Sequence, residues 1–570
     1  MGANAFEKAR VLLHLIKWRL TWSRRNTHYR FTLPDNPKFM GARDAVKLIQ
    51  DGDVLASSGL AGNQRACIMY WAIREVFEET GHPRDLTFMS VGALGGRGKT
   101  PGTVEEVGIE GLCTRYFTGH WETHKAQLKL GDEGKCELQV IPQGTLGLLW
   151  DAMARGEDSL LTKTGVGTFI DPRVGRGTPL AGTSTQQYVT VEDDMLRYTC
   201  PKIDVAFFNA PAADRKGNIY VKNCVMVGES YEISVAAKRN GGKVIANVGL
   251  LVDEGYDEIF MPADMVDAVV VYPGTEQTGS ISHRKYWDMF TTNSKTPIDK
   301  SIDLLKFSNQ TLGITPRRYE VDNVLARLAA RTFAENGHKG MYVNIGVGLP
   351  EEVCRLMFDG GLFNDITLLT ESGVMGGLPA PGVFFGAGLS PTRIITSPQM
   401  FKLCYEKLDV TCLGVLQADS QGNVNVSNRG KGAINYVGPG GFIDLTVATK
   451  MIVFVGTWMA HAKMEIKGGK LNIVKPGTPK FVDKVDEITF SGPEALKAGK
   501  IVFFCTNVGV FKLTERGMEL IRVTPGVDIQ KDIIDACPMT VVLPESGDVP
   551  LVGDDVMTGK GFDLKKLFLS

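Results

Sequence analysis

The sequence predicts an α/β protein that is built from two related open-sheet domains. The length of 570 residues exceeds what a single hydrophobic core supports. β-rich runs alternate with helical stretches, and several motifs occur twice in the same order. Such alternation is typical of largely parallel sheets whose faces are covered by helices.

The composition excludes several classes of function. Hydrophobic residues make up 43% of the chain and charged residues 22%, which is typical of a globular protein. The 63 basic and 64 acidic residues nearly cancel, so nothing indicates binding to nucleic acid. The ten cysteines show no CxxC spacing, which favours reduced thiols and a cytoplasmic location. No apolar run is long enough to form a transmembrane segment.

A basic amphipathic segment, residues 6–25, precedes the first predicted domain. Its apolar residues recur at helical spacing, and His14 and Lys17 interrupt the apolar run that a secretory signal requires. We assign residues 1–38 to an N-terminal helical extension that packs across a domain or a neighbouring subunit. Binding to a membrane surface is the alternative interpretation.

An internal repeat divides the remaining chain. Three pairs of segments match in order: residues 85–96 with 365–377, residues 214–221 with 419–426, and residues 52–62 with 340–349. We therefore predict two related α/β domains, residues 39–312 and 319–540, whose boundary lies in the polar stretch 309–318. Helices are expected at about residues 230–240 and 321–336. Residues 541–570 form a C-terminal tail that we expect to pack loosely from residue 547 onward.

Glu371 is the first candidate for a catalytic residue. It follows the β-favouring run ITLLT at residues 366–370, and Ser372 and three glycines come soon after it. Ligands of open α/β sheets bind at the carboxyl ends of strands, and glycines leave the backbone open to a substrate. Taken alone, however, a loop glutamate is more often a solvated acid than a nucleophile.

Other catalytic motifs are weak or absent. His120 and His124 are four residues apart, but the third ligand of a metal site is missing, so a structural or substrate-contact role is the better interpretation. No GxSxG nucleophile motif occurs. We expect no metal and no permanently bound cofactor.

A combination of motifs resembles the family I coenzyme A (CoA) transferases. In the second half these motifs are TESGVMGGLP around Glu371, NIGVGLPE at 344–351, FGA at 385–387, GNVNVS at 422–427 and GPGGFIDL at 438–445. In the first half they are GHW at 119–121, PQGT at 142–145 and TKTGVGTFIDPR at 162–173. The chain resembles in particular the single-chain group that includes propionate and acetate CoA-transferases. The similarity is collinear from about residue 41 to about residue 537.

The resemblance implies an enzyme that transfers CoA from an acyl-CoA donor to a free carboxylic acid, with short-chain acyl substrates. In that family the glutamate of the ExG motif becomes a covalent glutamyl-CoA thioester, and here that residue is Glu371. Such nucleophilic catalysis has ping-pong kinetics. Because glutamate has an ordinary pKa of ~4.3, we expect Glu371 to be ionised at neutral pH without a general base.

The resemblance also implies roles for other residues. The N–H groups of Gly440 and Gly441 are expected to stabilise oxyanions, and Gln143 to reach the reacting carbonyls from the other domain. A further set is assigned to CoA or substrate binding: Asn344, Gly346, Gly348, Phe385, Gly386, Asn425 and Gly438. A polar turn residue is an equally good interpretation of Gln143, and a structural role is the better one for Asn344 and Asn425.

Two alternative functions stay open from the sequence. One is an acyl-CoA hydrolase on the same fold, in which water replaces the acceptor acid. The other is a non-catalytic protein that binds CoA or a metabolite. The resemblance further implies a homodimer or homotetramer, and the identity of the acyl group is not determined.

Overall fold

The computed structural model describes residues 2–96, 100–180, 182–278, 281–283 and 287–569. In this part of the chain the α-helices, numbered in order, are α1 Ala5–Thr21, α2 Ala42–Val46, α3 Cys67–Thr80, α4 Lys125–Asp132, α5 Gln143–Arg155, α6 Ser230–Arg239, α7 Ile298–Thr311, α8 Glu320–Asn336, α9 Leu349–Asp359, α10 Ser397–Lys407, α11 Phe442–Ala448, α12 Gly492–Lys497, α13 Asp554–Thr558 and α14 Leu564–Leu569. Both helices expected from the sequence are present, as α6 and α8.

The first half of the chain forms an open sheet with a parallel path of seven strands. In spatial order these strands are Ala268–Val271, Lys243–Val252, Val205–Asp214, Val54–Ser57, Leu86–Met89, Cys113–Thr118 and Glu137–Val140. An eighth strand, Ile219–Tyr220, pairs antiparallel with Val205–Asp214. All ten residues of Val205–Asp214 are buried, because helices cover both faces of a parallel sheet.

The second half forms a nine-stranded open sheet. Its strands in spatial order are Arg393–Ile394, Val374–Met375, Thr367–Leu369, Tyr342–Ile345, Leu408–Gly414, Met451–Val455, Ile501–Cys505, Gly509–Thr514 and Gly517–Val523. The five strands from Thr367–Leu369 to Ile501–Cys505 are parallel. The fold class predicted from the sequence is confirmed.

Smaller elements connect and cover the two sheets. Short strands form the following groups: Leu160–Thr162 with Met195–Tyr198 and Val189–Glu192, Glu276–Thr278 with Ile281–Ser282, Leu378–Pro379 with Gly388–Leu389, Gln417–Ala418 with Val424–Asn425, Met459–Ala460 with Thr478–Pro479, and Lys463–Lys467 with Lys470–Lys475. Single helical turns are found at Val104–Val107, Ala263–Met265, Asp288–Phe290, Gly382–Phe384, Ala433–Asn435 and Ile529–Ile534.

The internal repeat is visible in the structure. Four neighbouring strands of the first sheet (Lys243–Val252, Val205–Asp214, Val54–Ser57, Leu86–Met89) have the same order as four strands of the second (Met451–Val455, Leu408–Gly414, Tyr342–Ile345, Thr367–Leu369). The matching turns are also built alike. The Asp214 carboxylate accepts bonds from the backbone and side-chain amides of Asn218, and Asp419 accepts the same pair from Asn423. The two halves are therefore copies of one α/β unit.

Helix α1 packs with one face against the rest of the chain. Val11, Leu15 and Trp18 are buried, and the Trp18 indole N–H donates a 2.7 Å hydrogen bond to Glu276. The opposite face is apolar as well, since Phe6 is 72% and Leu13 67% exposed. The predicted helix exists, and its inner face packs across the first half of the chain.

The C-terminal residues differ from the sequence-based expectation of a loosely packed tail. Val556 and Leu564, in α13 and α14, are buried, and the Phe568 ring stacks on Phe333 of α8 with the centroids 6.0 Å apart. Arg331 of α8 forms a 3.0 Å ion pair with Asp555. The correction has a simple physical reason: α13 and α14 are too short to bury an apolar face alone, so they complete the core around α8.

Candidate functional site

A cavity of about 490 Å³ opens between the two halves, beyond the carboxyl ends of the second sheet's parallel strands. It is the place where open α/β sheets bind ligands. The residues that line it include several of the predicted site residues: Glu371, Gln143, Gly346, Phe385, Gly438, Gly440 and Gly441. Residues more than 200 positions apart in the sequence thus meet in one cleft.

Glu371 lies in a tight turn that follows the strand Thr367–Leu369. The Gly373 N–H donates to the Thr370 carbonyl at 3.0 Å, and Gly373 has a φ of +100°, which favours glycine. The buried Ser372 hydroxyl donates to the Gly386 carbonyl and lies 2.8 Å from the Thr370 hydroxyl. The turn is therefore rigid, and it holds the half-buried Glu371 side chain toward the cleft.

The GPGG turn is held by the first half of the chain. The Gly440 N–H donates a 2.8 Å hydrogen bond to the Gly119 carbonyl, and the Gly440 carbonyl accepts one of 2.8 Å from the Gln143 N–H. This geometry alters the predicted pair of oxyanion donors, because the Gly440 N–H already has a partner. The Gly441 N–H is the one that donates to the Glu371 carboxylate.

Gly441 also leaves room for the acid. A Cβ atom added to Gly441 would lie 2.5 Å from Oε2 of Glu371, so the carboxylate would have to move away. Its φ of −88° is one that every residue can adopt. Glycine therefore permits the close approach of the carboxylate, and the backbone conformation does not demand it.

Two neighbouring acids, the half-buried Glu371 and the buried Asp444, share this site. The pKa of Glu371 is raised to about 7, first by burial and then by the negative charge of Asp444, against the lowering effect of the Gly441 N–H. Burial likewise raises the pKa of Asp444 to about 7, against hydrogen bonds from Thr145 and Gly144. The expectation that Glu371 is fully ionised at neutral pH is wrong, because the sequence shows neither the burial nor the neighbouring acid.

Gln143 is the first residue of α5 and is only 3% exposed. Its side chain lies against Gly92, where an added Cβ atom would collide with Oε1. Among the described residues, Nε2 has no hydrogen-bond partner. A buried amide donor without a partner costs free energy, so the cleft presents a donor that a ligand oxygen would satisfy.

Four of the remaining predicted site residues lie at or near the cleft, and two lie away from it. Gly346 and Phe385 line the cleft, whereas Gly348 lines a neighbouring cavity of about 360 Å³, and Gly386 accepts the hydrogen bond from Ser372. Asn344 and Asn425 are buried away from the cleft. Asn344 joins three strands through the Leu369 carbonyl and Thr411, and Asn425 holds its own turn. A structural role, which the sequence favoured for both, matches these contacts.

The two histidines have different environments. His120 lines the cleft, while His124 is fully buried beside the rings of Tyr116 and Trp121, and burial lowers the pKa of His124 to about 3. In the described part of the chain, no group of three or more His, Cys, Asp or Glu side chains is placed to hold a metal ion. Among the described residues, none of the helices combines the length and the hydropathy that a membrane crossing requires.

Sequence reasoning missed two charged residues, Asp444 beside Glu371 and Lys480 in the lining of the cleft. Asp444 follows the GPGG turn and belongs to α11. It is far from Glu371 in the sequence, and folding brings the two acids together. Lys480 lines the cleft from the segment after the strand Thr478–Pro479. No motif marks it, since a lysine beside a β-turn is ordinarily a solvated surface residue.

Comparisons with known proteins agree on one family. The family model of coenzyme A transferase matches residues 39–272. The chain is 35% identical to caffeate CoA-transferase of Acetobacterium woodii over 520 residues, which cover 88% of this chain and 94% of the relative. It is 32% identical to acetate CoA-transferase YdiF of Escherichia coli K12 over 519 residues, with 89% and 93% covered.

A solved structure extends the likeness to three dimensions. The acyl-CoA transferase YdiF of Escherichia coli O157:H7, crystallised as a thioester complex with CoA, superposes with a TM-score of 0.78 at 29% identity. The match covers 92% of this chain and 97% of that one. The likeness therefore includes both halves and the cleft between them.

Proposed function

The chain belongs to the coenzyme A transferase family and is a CoA-transferase, and we propose that it works through a covalent glutamyl-CoA thioester on Glu371. The observation that carries this proposal is the placement of the Glu371 carboxylate against the Gly441 N–H in a cleft that both halves close. We further propose short-chain carboxylic acids as the acyl substrates.

The reaction begins when the Glu371 carboxylate attacks the thioester carbonyl of the acyl-CoA. The C–S bond breaks, CoA leaves as a thiolate, and an acyl-glutamyl anhydride remains. The thiolate then attacks the glutamyl carbonyl of the anhydride, the first acid leaves as a carboxylate, and CoA is held as a thioester on Glu371. An acceptor carboxylate reverses these steps and departs as its own CoA ester.

Each tetrahedral intermediate carries an oxyanion, and the cleft offers two donors for it. The Gly441 N–H already faces the Glu371 carboxyl group, and Nε2 of Gln143 is buried without a partner among the described residues. We assign these two groups to oxyanion stabilisation, and Gly440 to holding the turn through Gly119 and Gln143. Fixed donors of this kind are effective because they need no reorganisation during the reaction.

The raised pKa of Glu371 has a consequence for the first step. Only the carboxylate is a nucleophile, and with a pKa of about 7 a large share of Glu371 is protonated in the free protein at neutral pH. A desolvated carboxylate is a stronger nucleophile than a solvated one, and the same exclusion of water protects the thioester from hydrolysis. We infer that burial in the cleft lowers the fraction of Glu371 that is ionised and makes the ionised fraction more reactive.

The test of the proposal is to trap the intermediate. The protein is incubated with a panel of acyl-CoAs without acceptor, reduced with borohydride or digested directly, and the peptide that contains residue 371 is weighed by mass spectrometry. We expect a CoA adduct, or its reduction product, on the native peptide and none in the Glu371→Gln variant. If no donor gives an adduct, the covalent mechanism is refuted.

The same assay separates transfer from hydrolysis. A transferase passes CoA on to form a new CoA ester only when a second carboxylic acid is present. Release of free CoA without any acceptor, at a rate comparable to transfer, would instead support an acyl-CoA hydrolase.

We also propose a homodimer or homotetramer that works in the cytoplasm. All ten cysteines, each within the described residues, are free, and nine of them are buried. Reduced core thiols are typical of a reducing compartment. Light scattering on the purified protein measures the subunit number directly, and a monomer at micromolar concentration would contradict this assembly.

A further inference from the structure

Lys480 is a cation in the active-site cleft whose position is fixed by its backbone. Its N–H donates to the Trp458 carbonyl at 3.2 Å, and its carbonyl accepts a 3.0 Å hydrogen bond from the Ala418 N–H. The Nζ atom lies close to Gly456, the residue that follows the strand Met451–Val455, since a Cβ atom on Gly456 would be 3.2 Å from it. The ammonium group therefore lies at the carboxyl ends of the parallel strands, where ligands bind.

Within the described part of the chain, no anionic side chain is paired with this cation. Among the described residues, no hydrogen bond or ion pair reaches Nζ of Lys480, and burial alone lowers its pKa to about 8. The second basic residue that lines the cleft, Arg429, is paired with Glu122 at 2.7 Å. A partly buried charge without a partner is costly, and a bound anion removes that cost.

Lys500 shows what a purely structural buried lysine looks like in the same chain. Burial lowers its pKa to about 8 as well, but its Nζ donates to the carbonyls of Val447 and Thr449. Among the described residues, no backbone carbonyl accepts a hydrogen bond from Nζ of Lys480. The difference indicates that the partner of Lys480 comes from outside the chain.

The acid and the cation of the cleft act on different parts of a ligand. The pKa of Glu371 responds to Asp444 and to the Gly441 N–H, and Lys480 is not among the groups that influence it. A monocarboxylic acid has a single anionic group, and this group must lie at Glu371 in order to react. An acyl-CoA has its thioester at one end and phosphates beyond the long pantetheine arm, so it supplies a second anion that a short-chain monocarboxylic acid lacks.

We propose that Lys480 binds a phosphate group of the CoA nucleotide while the thioester lies at Glu371. This inference rests on the proposed function and names the group by which the cleft recognises its donor. Remote binding energy of this kind is used to drive the strained anhydride step when the contact tightens in the transition state.

The test is a comparison of two donors and two variants of the full-length protein. Native protein and Lys480→Met, whose side chain has similar length and no charge, are assayed with an acyl-CoA and with the same acyl thioester of pantetheine, which lacks the nucleotide phosphates. We expect kcat/KM for the acyl-CoA to fall about ten- to a hundredfold in Lys480→Met. With the pantetheine thioester the two proteins should react equally, and Lys480→Arg should keep most of the activity toward acyl-CoA.

Controls separate this effect from loss of fold and from failure of the mechanism. Lys500→Met should lower the melting temperature and leave the ratio between the two donors unchanged. An equal loss of activity toward both donors in Lys480→Met would overturn the inference, as would an increase confined to the KM of a dicarboxylic acceptor. If native protein forms the Glu371 adduct while Lys480→Met keeps a native kcat/KM for acyl-CoA, only the Lys480 proposal fails. Absence of the adduct from the native protein refutes the proposed function itself.

Discussion

The carboxylate of Asp444 accepts a 2.9 Å hydrogen bond from the Gly144 N–H, which belongs to the other half of the chain. Thr145 donates a second one of 2.7 Å through its hydroxyl. Asp444 thus supplies a cap for the N-terminus of α5 and, on its other side, a negative charge beside Glu371. One buried acid connects the packing of the two halves with the ionisation of the proposed nucleophile.

The first prediction concerns the pH dependence of thioester formation. Only the Glu371 carboxylate reacts, so the rate should rise with pH through about 7, the pKa of the free protein. Asp444→Asn removes a negative charge that raises this pKa while it keeps an acceptor for α5. The rising limb should therefore move to lower pH in this variant. An unchanged limb in single-turnover assays from pH 5 to pH 9 would show that Asp444 does not influence the nucleophile.

The second prediction compares two neighbouring glycines of the turn. In Gly441→Ala the new methyl group displaces the Glu371 carboxylate, so kcat should fall about a hundredfold or more with little change in stability. In Gly440→Ala the nearest atom to the new Cβ is 3.4 Å away, but the φ of +54° costs about 1–2 kcal/mol. This variant should lose stability more than activity. The opposite ranking of the two activities would assign the oxyanion donor to Gly440.

The third prediction concerns Gln143. Because Nε2 has no partner among the described residues, Gln143→Leu should leave the melting temperature unchanged or slightly higher. Loss of an oxyanion donor should lower kcat about a hundredfold. Gln127→Leu is the matched control, since the amide of Gln127 is buried and donates to the Val104 carbonyl at 2.6 Å. It should lower the melting temperature without changing kcat, and equal effects of both variants on kcat would argue against a role of Gln143 in the reaction.

The fourth prediction concerns the stability of the contact between α6 and α10. Glu232 is buried there, the Thr396 hydroxyl donates to its Oε1, and Oε2 has no partner among the described residues. Burial raises the pKa of Glu232 to about 7. Because the folded pKa exceeds the ordinary value, this acid stabilises the fold at low pH, and the stabilisation is lost as pH rises through about 7.

Glu232→Gln should therefore raise the free energy of unfolding at pH 8.5 by about 3 kcal/mol and change it much less at pH 5. Urea unfolding at the two pH values measures both differences. The exposed Glu258→Gln variant serves as the control and should show no such dependence. A gain that is equal at both pH values would mean that ionisation of Glu232 is not its cause.

The fold could be predicted well because its signals are local and repeated. The runs at residues 54–57 and 342–345 are short and mostly apolar, and a glycine follows each within two residues, so both strands could be expected from pattern alone, whereas the strand order could not. The packing of residues 547–569 does not follow from the sequence, because α13 and α14 are only five and six residues long and show no complete helical period. Their burial depends on α8, more than 200 residues earlier in the chain.

The candidate site could be predicted only where a motif marks it. Glu371 and the GPGG turn have recognisable sequences, whereas the ionisation of Glu371 depends on Asp444, whose position beside the acid is a product of folding. The sequence does not show that the Gly440 N–H is already bonded, because its partner, the Gly119 carbonyl, lies in the other half of the chain. Lys480 has no motif at all. Electrostatic properties and long-range hydrogen bonds are the part that spacing along a sequence does not encode.

The hydrogen bonds from the Gly440 N–H to the Gly119 carbonyl and from the Gln143 N–H to the Gly440 carbonyl mean that each half supplies part of the other's turn. Neither half would therefore contain a working site if the chain were cut between them. Joined in one polypeptide, the halves are made in equal number and meet at an effective concentration of roughly millimolar. This high effective concentration would compensate for substitutions that weaken the contact between the halves at the shared turn. Such substitutions would therefore lower the catalytic rate before they lower the amount of folded protein.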